Sequence, residues 1–583
     1  MLKHAIVAGC LILLTAGIAW SADDSFPLPA DMQKLLPADP AFIVAITSVH
    51  DLERQWQAIE EMFDDDSGES TDLIGLLSEN MPQFAEFADM DKPLALVMGL
   101  PNLMGGEEPA FTFIVPLAES SWSPDDSAPD TTGVTYLKEG GYLALSMDPL
   151  FSPAVETPDL AIGLGPGFIS ARLDLEMVID AYRPLAEMGL GAMGNATALP
   201  DSQSIGEETH PQQMGPEEIA AMQDLARSVM DSARRFNLSF SIEGEELTLH
   251  TGFSVLPGSP LDPGPQPSFE HALQLTRLLP SGGNIIQTMA LDQTRQFEIF
   301  RSFYTANLEK TTANMPPEQG EAYRSWVQSY LDSVDLFANP LAASISMFEE
   351  GMSTNMVMEC ADAPASLERF TGLFEGLTAA DIGMKMKKMP TGKVAGVDVH
   401  SWTVDYDPEK LAAHSPAPMN PQLGGTGRMQ AEQMIAILRK VTPNINMAVR
   451  GDYLILSADP NPANLAHMIQ LAGQRRGAAH PQTAAVAAKA GPGCQQVVVG
   501  DLMAILAWIT ELMEEIEEEE YAAIESNPIP FSAAYTIEGA NYGLDWTMDM
   551  PAVKRFAKAI EQMEALDDLH DDDDDDDEAE END

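Results

Sequence analysis

Apolar and polar positions alternate with a period of two along Gly140-Gly-Tyr-Leu-Ala-Leu-Ser-Met-Asp-Pro149. The pattern returns as Gly451-Asp-Tyr-Leu-Ile-Leu-Ser-Ala-Asp-Pro460. Leu143, Leu145 and Met147 alternate with Tyr142, Ala144 and Ser146, and Leu454, Leu456 and Ala458 with Tyr453, Ile455 and Ser457, which predicts two strands that each bury one face. Apolar runs lead into both copies, Val134 to Leu137 and Ile445 to Val449. The Gly-Gly and Gly-Asp pairs supply the positive φ of a tight hairpin turn. Asp-Pro then predicts a strand end, the acid capping a helix and the proline opening it.

The same order of signals recurs elsewhere. Leu35-Leu36-Pro37 introduces a strand from Phe42 to Thr47 and a helix near Asp51 with Leu52, Trp56 and Ile59 on one face. Leu278-Leu279-Pro280 introduces a strand from Asn284 to Ala290 and a helix from Asp292 that includes Phe297 and Phe300. Pro93-Leu94-Ala95 matches Pro340-Leu341-Ala342. Gly165-Pro166-Gly167 with Asp174-Leu175 matches Gly491-Pro492-Gly493 with Asp501-Leu502, and the turn Ile242-Glu243-Gly244 matches Ile537-Glu538-Gly539. Matches in one order point to an internal duplication. Ile219, Met222, Leu225 and Val229 behind Pro216, and Leu502, Leu506, Ile509, Met513 and Ile516 behind Asp501, carry helical spacing. Hairpins that follow helices argue against a doubly wound parallel sheet. The expected fold is α+β, internally duplicated, with largely antiparallel twisted sheets, helices packed on one face and two similar lobes. Loops are expected from Ser120 to Thr132, Gly189 to Gly215, His414 to Arg428 and Arg475 to Gly493.

The 583 residues exceed what one core organises. The expected division is a signal peptide over 1–21, a first α+β repeat over 22–256, a Pro-rich linker over 257–268, a second repeat over 269–566 and a disordered acidic tail over 567–583. Lys3, His4 and an apolar run to Trp20, with Ala19 and Ser21 at the cleavage position, read as an export signal. Periplasmic or secreted localisation follows; an uncleaved N-terminal anchor is the alternative. Val7-Ala8-Gly9-Cys10 resembles a lipid-attachment box, but the apolar segment lies mostly after Cys10, where a signal would not need it. The formal net charge is −60, and the last seventeen residues hold thirteen of the acids, so the remainder is strongly acidic by itself. Such a surface excludes nucleic acid as a partner and disfavours anionic lipid. Cys360 and Cys494 remain after signal removal, either as a disulfide or as two buried thiols.

Leu36-Pro37-Ala38-Asp39-Pro40, then Phe42-Ile-Val-Ala-Ile and a helix with Asp51-Leu52 and Trp56, resembles the start of a group of exported bacterial proteins of unknown function. The resemblance implies export and transfers no activity or catalytic residue.

Candidate chemistry is sparse. Met356, Met358 and Cys360 alternate on one strand with Met384, Met386 and Met389 near in sequence, a soft-ligand set suited to copper(I) or, more ordinarily, a core packed with methionine. Asp398 and His400 share one face of a strand from Val397 to Val404 and could ligate a metal or orient a base for hydrolysis; the plainer reading is a wet strand face. His570, Asp571, Asp572 and Asp573 in the tail could hold calcium loosely, though a run of like charges is ordinarily a solvated segment. Asp64-Asp-Asp-Ser-Gly-Glu fails the calcium-loop pattern at Gly68 and Glu69. Gly189-Leu-Gly-Ala-Met-Gly194 spells a dinucleotide fingerprint, yet it follows a helix and reads as a loop. No His-Glu-x-x-His, Gly-x-Ser-x-Gly or Walker lysine pattern occurs. The sequence therefore points to a non-catalytic binding or structural protein with a protein or envelope partner. No membrane insertion after signal cleavage and no cofactor beyond calcium are expected; a metal-assisted hydrolase and a tail-based cation binder are the alternatives.

Overall fold

The structure is a computed structural model that describes residues 28–63, 87–100, 109–118, 134–148, 151–154, 167–196, 216–313, 315–348, 351–407, 444–474, 478–505 and 527–555, with a few isolated positions besides. In chain order the elements are α1 Ala30–Gln33, β1 Phe42–Ile46, α2 Val49–Phe63, β2 Leu94–Met98, β3 Phe111–Pro116, β4 Thr135–Glu139, β5 Tyr142–Ser146, β6 Ile169–Asp174, α3 Leu175–Ala196, α4 Pro216–Ser232, β7 Ala233–Glu243, β8 Glu246–Val255, α5 Phe269–Leu275 and β9 Ile285–Met289. There follow α6 Thr294–Ala313, α7 Pro317–Leu331, β10 Leu341–Phe348, β11 Gly351–Glu359, α8 Ala363–Ala380, β12 Met384–Lys388, β13 Gly392–Val394, β14 Val397–Tyr406, β15 Asn444–Arg450, β16 Tyr453–Ala458, α9 Pro462–Gln474, α10 Pro481–Ala490, β17 Cys494–Asp501, β18 Pro530–Glu538 and β19 Asn541–Asp549. This is an α+β fold built on antiparallel strand pairing. The chain divides into two compact units, one formed by Met1–Ala181, Arg234–Ser254 and Asp501–Asp583, the other by Tyr182–Ala233 and Val255–Gly500.

In the first unit the strands run β4-β5-β3-β2-β1-β6-β7, and a second ladder runs β8-β19-β18. Ile46 of β1 faces Leu94 on one side and Ile169 on the other. Ile43, Ala45, Ala95, Val97, Ile114, Tyr142 and Ala144 form one buried face against Leu28, Met32, Leu35 and Leu36. Val115, Leu117 and Leu143 pack on the opposite face with Tyr136 and Leu145. β5 is thus buried on both sides, where alternation predicted one; Met147 is instead 60% exposed. Its polar members can be buried because they are paired, as in the 2.9 Å contact of Thr112 Oγ1 with Ser146 Oγ.

In the second unit β12 and β13 each pair with β14, and the order continues β14-β15-β16-β11-β10-β9-β17. Met289 of β9 faces Leu341 on one side and Gln496 on the other. One face carries Leu341, Met358, Leu454, Met447 and Trp402 under Phe370, Leu373 and Leu377 of α8. The alternate set, Val357, Ile455 and Ser457, is buried as well. Asn355 on that face donates to Asp459, whose carboxylate also accepts from Asn464 of α9, so α9 lies over it. Helices therefore cover both faces of this sheet rather than the single face expected, because β16 reads Tyr-Leu-Ile-Leu, apolar on both sides.

Local signals explain the element ends. Gly140 and Gly451 turn their hairpins at φ 55° and 63°. Asp174 accepts from the Met177 N–H and Asp501 from the Met503 N–H, capping the segments that follow. The expected opening of a helix at Pro460 is corrected: α9 starts two residues later at Pro462, and Asp459 accepts from the Asn461 N–H instead. The expected loop from Gly189 starts too early, since α3 runs on to Ala196. Arg183–Asp231, Arg227–Glu187 and a bond from Gln223 to the Leu190 carbonyl clamp that stretch to α4 and hold the helix through Gly189, Gly191 and Gly194, each of which costs about 1 kcal/mol. The expected loop from Arg475 likewise contains α10, where Pro481 occupies the first turn of an alanine-rich run.

Candidate functional site

The residues singled out by sequence scatter when placed. Asp398 and His400 do share a face of β14, but each has another neighbour: Asp398 lies 3.6 Å from Lys393, and the His400 ring stacks on Trp402 at 6.2 Å. No hydrogen bond joins the two, and a general-base pair needs one near 2.6–3.2 Å. Met356, Met358 and Cys360 point one way, as the alternation predicts, into the cluster that also takes Met289, Met384, Met386 and Met447. Burial pushes the Cys360 thiol up, which works against the thiolate a soft metal needs. Cys360 and Cys494 are both buried free cysteines. Among the described residues no group of three or more His, Cys, Asp and Glu comes together. His570, Asp571, Asp572 and Asp573, and the Asp64 to Glu69 run, lie outside the described residues. Gly189 to Gly194 sits within α3, where helix backbone N–H groups are already used and no phosphate cradle forms.

Two arrangements do bring side chains together. The first is an aromatic seam in the second unit. Phe297 and Tyr304 stand seven positions apart on α6, one helical face, and Tyr323, Trp326 and Tyr330 share a face of α7. Phe297 stacks on Tyr304 at 5.8 Å and meets Tyr330 edge-on at 6.3 Å; Trp326 lies 6.5 Å from Tyr330 and 5.7 Å from Tyr323. Trp326 roots the seam in the apolar core, and Gly376 of α8 permits this, since a Cβ there would stand 3.2 Å from the indole. At the outer end Tyr304 is 45% exposed and Tyr330 39%. A groove lined by Glu298, Arg301, Ser302, Thr305, Ala306 and Glu309 runs along α6 beside it. Arg301 is bound by Glu298 and Asp332, and the Gln328 amide, followed by that guanidinium, holds the Asp332 carboxyl below its usual range. With Arg301 so engaged, the groove is left with carboxylate character.

The second is a polar face in the first unit. The face that is apolar at β5, β3, β2 and β1 becomes polar at β6 and β7: Ser170 sits beside Ala45 and opposite Ser239, and Arg172 beside Ile43 and opposite Asn237. All four are buried. Ser241 follows on β7, with its Oγ 3.1 Å from Nε2 of His250 on β8; Nδ1 of that ring is 2.8 Å from Oδ1 of Asp545 on β19. Thr248 and Thr547 meet at 3.2 Å one step along. Sequence reading missed this set. Its only local trace is the polar alternation Asn237, Ser239, Ser241 and Thr248, His250, and Asp545 lies hundreds of residues away in the chain.

No family model matches the chain, and no curated protein matches it. A solved structure titled "Structure of crystal form I of TP0453" aligns with 39% of this chain and 80% of that chain at 7% identity. Its TM-score of 0.18 is too low to carry an argument about fold or function.

Proposed function

We propose that the protein is an exported binding protein whose aromatic seam on α6 and α7 takes a lysine- or arginine-rich segment of an envelope protein. The carrying observation is that seam, rooted in the core by Trp326 and open at Tyr304 and Tyr330 beside Glu298 and Glu309. Exposed tyrosine faces attract cations through their ring quadrupole, and the Glu309 carboxylate alongside adds pairing for the same charges. A net charge of −60 steers cationic partners toward the chain. Export is supported by Lys3, the apolar run to Trp20 and the likeness of Leu36-Pro37-Ala38-Asp39-Pro40 to exported proteins.

The chain in this reading is an internal duplication with two similar lobes. In its favour, Ile46 with its partners Leu94 and Ile169 corresponds to Met289 with Leu341 and Gln496, the register given by the Leu-Leu-Pro, Pro-Leu-Ala and Asp-Leu matches. The order β4-β5-β3-β2-β1-β6 also corresponds to β15-β16-β11-β10-β9-β17. Duplicated scaffolds free one copy's loops and helices to diverge toward binding.

The test is titration of the full chain with a fluorescent nona-arginine peptide at physiological salt. Tyr304→Ala with Tyr330→Ala should weaken binding about tenfold, near 1.4 kcal/mol. A chain ending at Leu566 should lose less than about threefold, as the seam's own rings and carboxylates make the contact and physiological salt screens the tail's charge. If the truncation abolishes binding and the tyrosine pair leaves it unchanged, the seam is not the site.

A further inference from the structure

We propose that Ser241, His250 and Asp545 form a nucleophilic relay that cleaves small, uncharged carboxylic esters, an activity separate from the seam. Asp545 is an acceptor when ionised, so the 2.8 Å contact fixes the proton on His250 Nδ1. In the neutral ring Nε2 is then an acceptor, and it stands 3.1 Å from the Ser241 hydroxyl, the direction in which a base must receive the serine proton. Nucleophile, base and orienting carboxylate are thus joined in order, which is the geometry that identifies such a set on any fold.

The neighbourhood supplies what else the reaction requires. Two residues on from the His250–Asp545 pair, on the same face, Gly252 stands opposite Gly543, so these two strands place no side chain on that face beside the relay. The Ser239 hydroxyl and the Asn237 carbonyl oxygen are buried and meet no hydrogen-bond partner among the described residues. A buried polar atom left unpaired costs about 1–3 kcal/mol, and a bound polar group would recover it. Ser239 is two positions from Ser241 on the same face, and its O–H can donate to the oxygen that gains charge during attack. Ser241 is 6% exposed, whereas the side chains of His250 and Asp545 retain 15% and 19% exposure, so access is narrow and from the histidine side. Such narrow access restricts the acyl group to a short one. The chain's negative field disfavours anionic esters.

The steps balance without a further cofactor. Ser241 Oγ bonds to the ester carbonyl carbon while its proton passes to His250 Nε2. The carbon–oxygen bond to the alcohol breaks, and the alcohol leaves with that proton. Water then loses a proton to the same nitrogen, attacks the acyl-serine carbon and releases the carboxylic acid, and Ser241 regains its proton.

The experiment uses the full chain with a fluorophosphonate probe, peptide mass spectrometry and p-nitrophenyl acetate hydrolysis. The peptide containing Ser241 should gain one phosphonate adduct, absent in Ser241→Ala. Hydrolysis should fall by about a hundredfold or more in Ser241→Ala and in His250→Gln. Asp545→Asn should slow labelling of Ser241 severalfold and Asp545→Glu should restore part of the rate, a rescue that loss of packing would not produce. Circular dichroism melting of each variant separates unfolding from lost chemistry, and His250→Gln keeps the test open should alanine at Ser241 unfold the chain. Absence of an adduct on the folded parent chain, or hydrolysis unchanged in a folded Ser241→Ala or His250→Gln variant, overturns the relay. Neither result bears on nona-arginine binding by the seam.

Discussion

Two hairpin glycines share a backbone conformation and differ in what stands beside them. Gly140 and Gly244 turn at φ 55° and 64°, in the left-handed region where a Cβ costs about 1–2 kcal/mol. A Cβ on Gly244 would meet nothing within 4 Å, whereas one on Gly140 would lie 2.1 Å from Oδ2 of Asp31, which pairs with Lys34. Gly244→Ala should therefore show the backbone cost alone. Gly140→Ala should cost roughly 1 kcal/mol more, because Asp31 must swing away from Lys34 as well. Urea unfolding of both variants, repeated in an Asp31→Ala background, checks the argument. The excess at Gly140 should vanish in that background, and an excess that persists would place the strain elsewhere.

The proline-rich stretch from Pro257 to Pro267 is held by one carboxylate. Asp262 accepts from the Gly264 N–H at 2.9 Å and from the Gly258 N–H, and these bonds, Gly264 first, hold its carboxyl below the ordinary range. Gln266 ties the far end to Asp292. A depressed folded value means stability that is present above the unfolded carboxylate value, near pH 4, and is lost as pH falls through the folded one. Asp262→Ala should lower the urea midpoint at pH 7 by the equivalent of about 1 kcal/mol, and its gap to the parent should narrow as pH drops from 4 to 3. A gap constant with pH would mean the side chain acts by packing.

Such elements also mark what sequence could reveal. Strands β1, β9, β5 and β16 and the turns at Gly140 and Gly451 were legible because period-two alternation and glycine are local signals. The second buried face of β16 was not, because Ser457 is hidden by donating to Asn355 at 2.7 Å, and a single strand does not disclose its partners. The seam was half legible: Phe297 was placed on a helix, but its stacking on Tyr304 and Tyr330 depends on how α6 meets α7. The relay needed three strands in register, and so no window of sequence held it.

Charge is a property of the whole chain and sets its response to salt. Ninety-one acids face 31 lysines and arginines, so even complete pairing would leave most carboxylates repelling one another. Salt weakens exposed pairs such as Lys388–Glu375, each worth about 0–1 kcal/mol, and relieves the repulsion among the unpaired majority. The second effect involves more charges over longer distances, and screening should therefore win. Melting temperature at pH 7 should rise by roughly 3–6 °C between 0.02 and 0.5 M NaCl, equivalent to about 1–2 kcal/mol. Near pH 4.2, where the net charge passes through zero, the rise should flatten. A chain ending at Leu566 removes thirteen of the acids and should keep most of the slope, since the remaining chain still carries the larger share of the excess. A melting temperature that falls with salt at pH 7 would show that paired ions outweigh the repulsion, and that the acids are arranged around the few cations more closely than their number suggests.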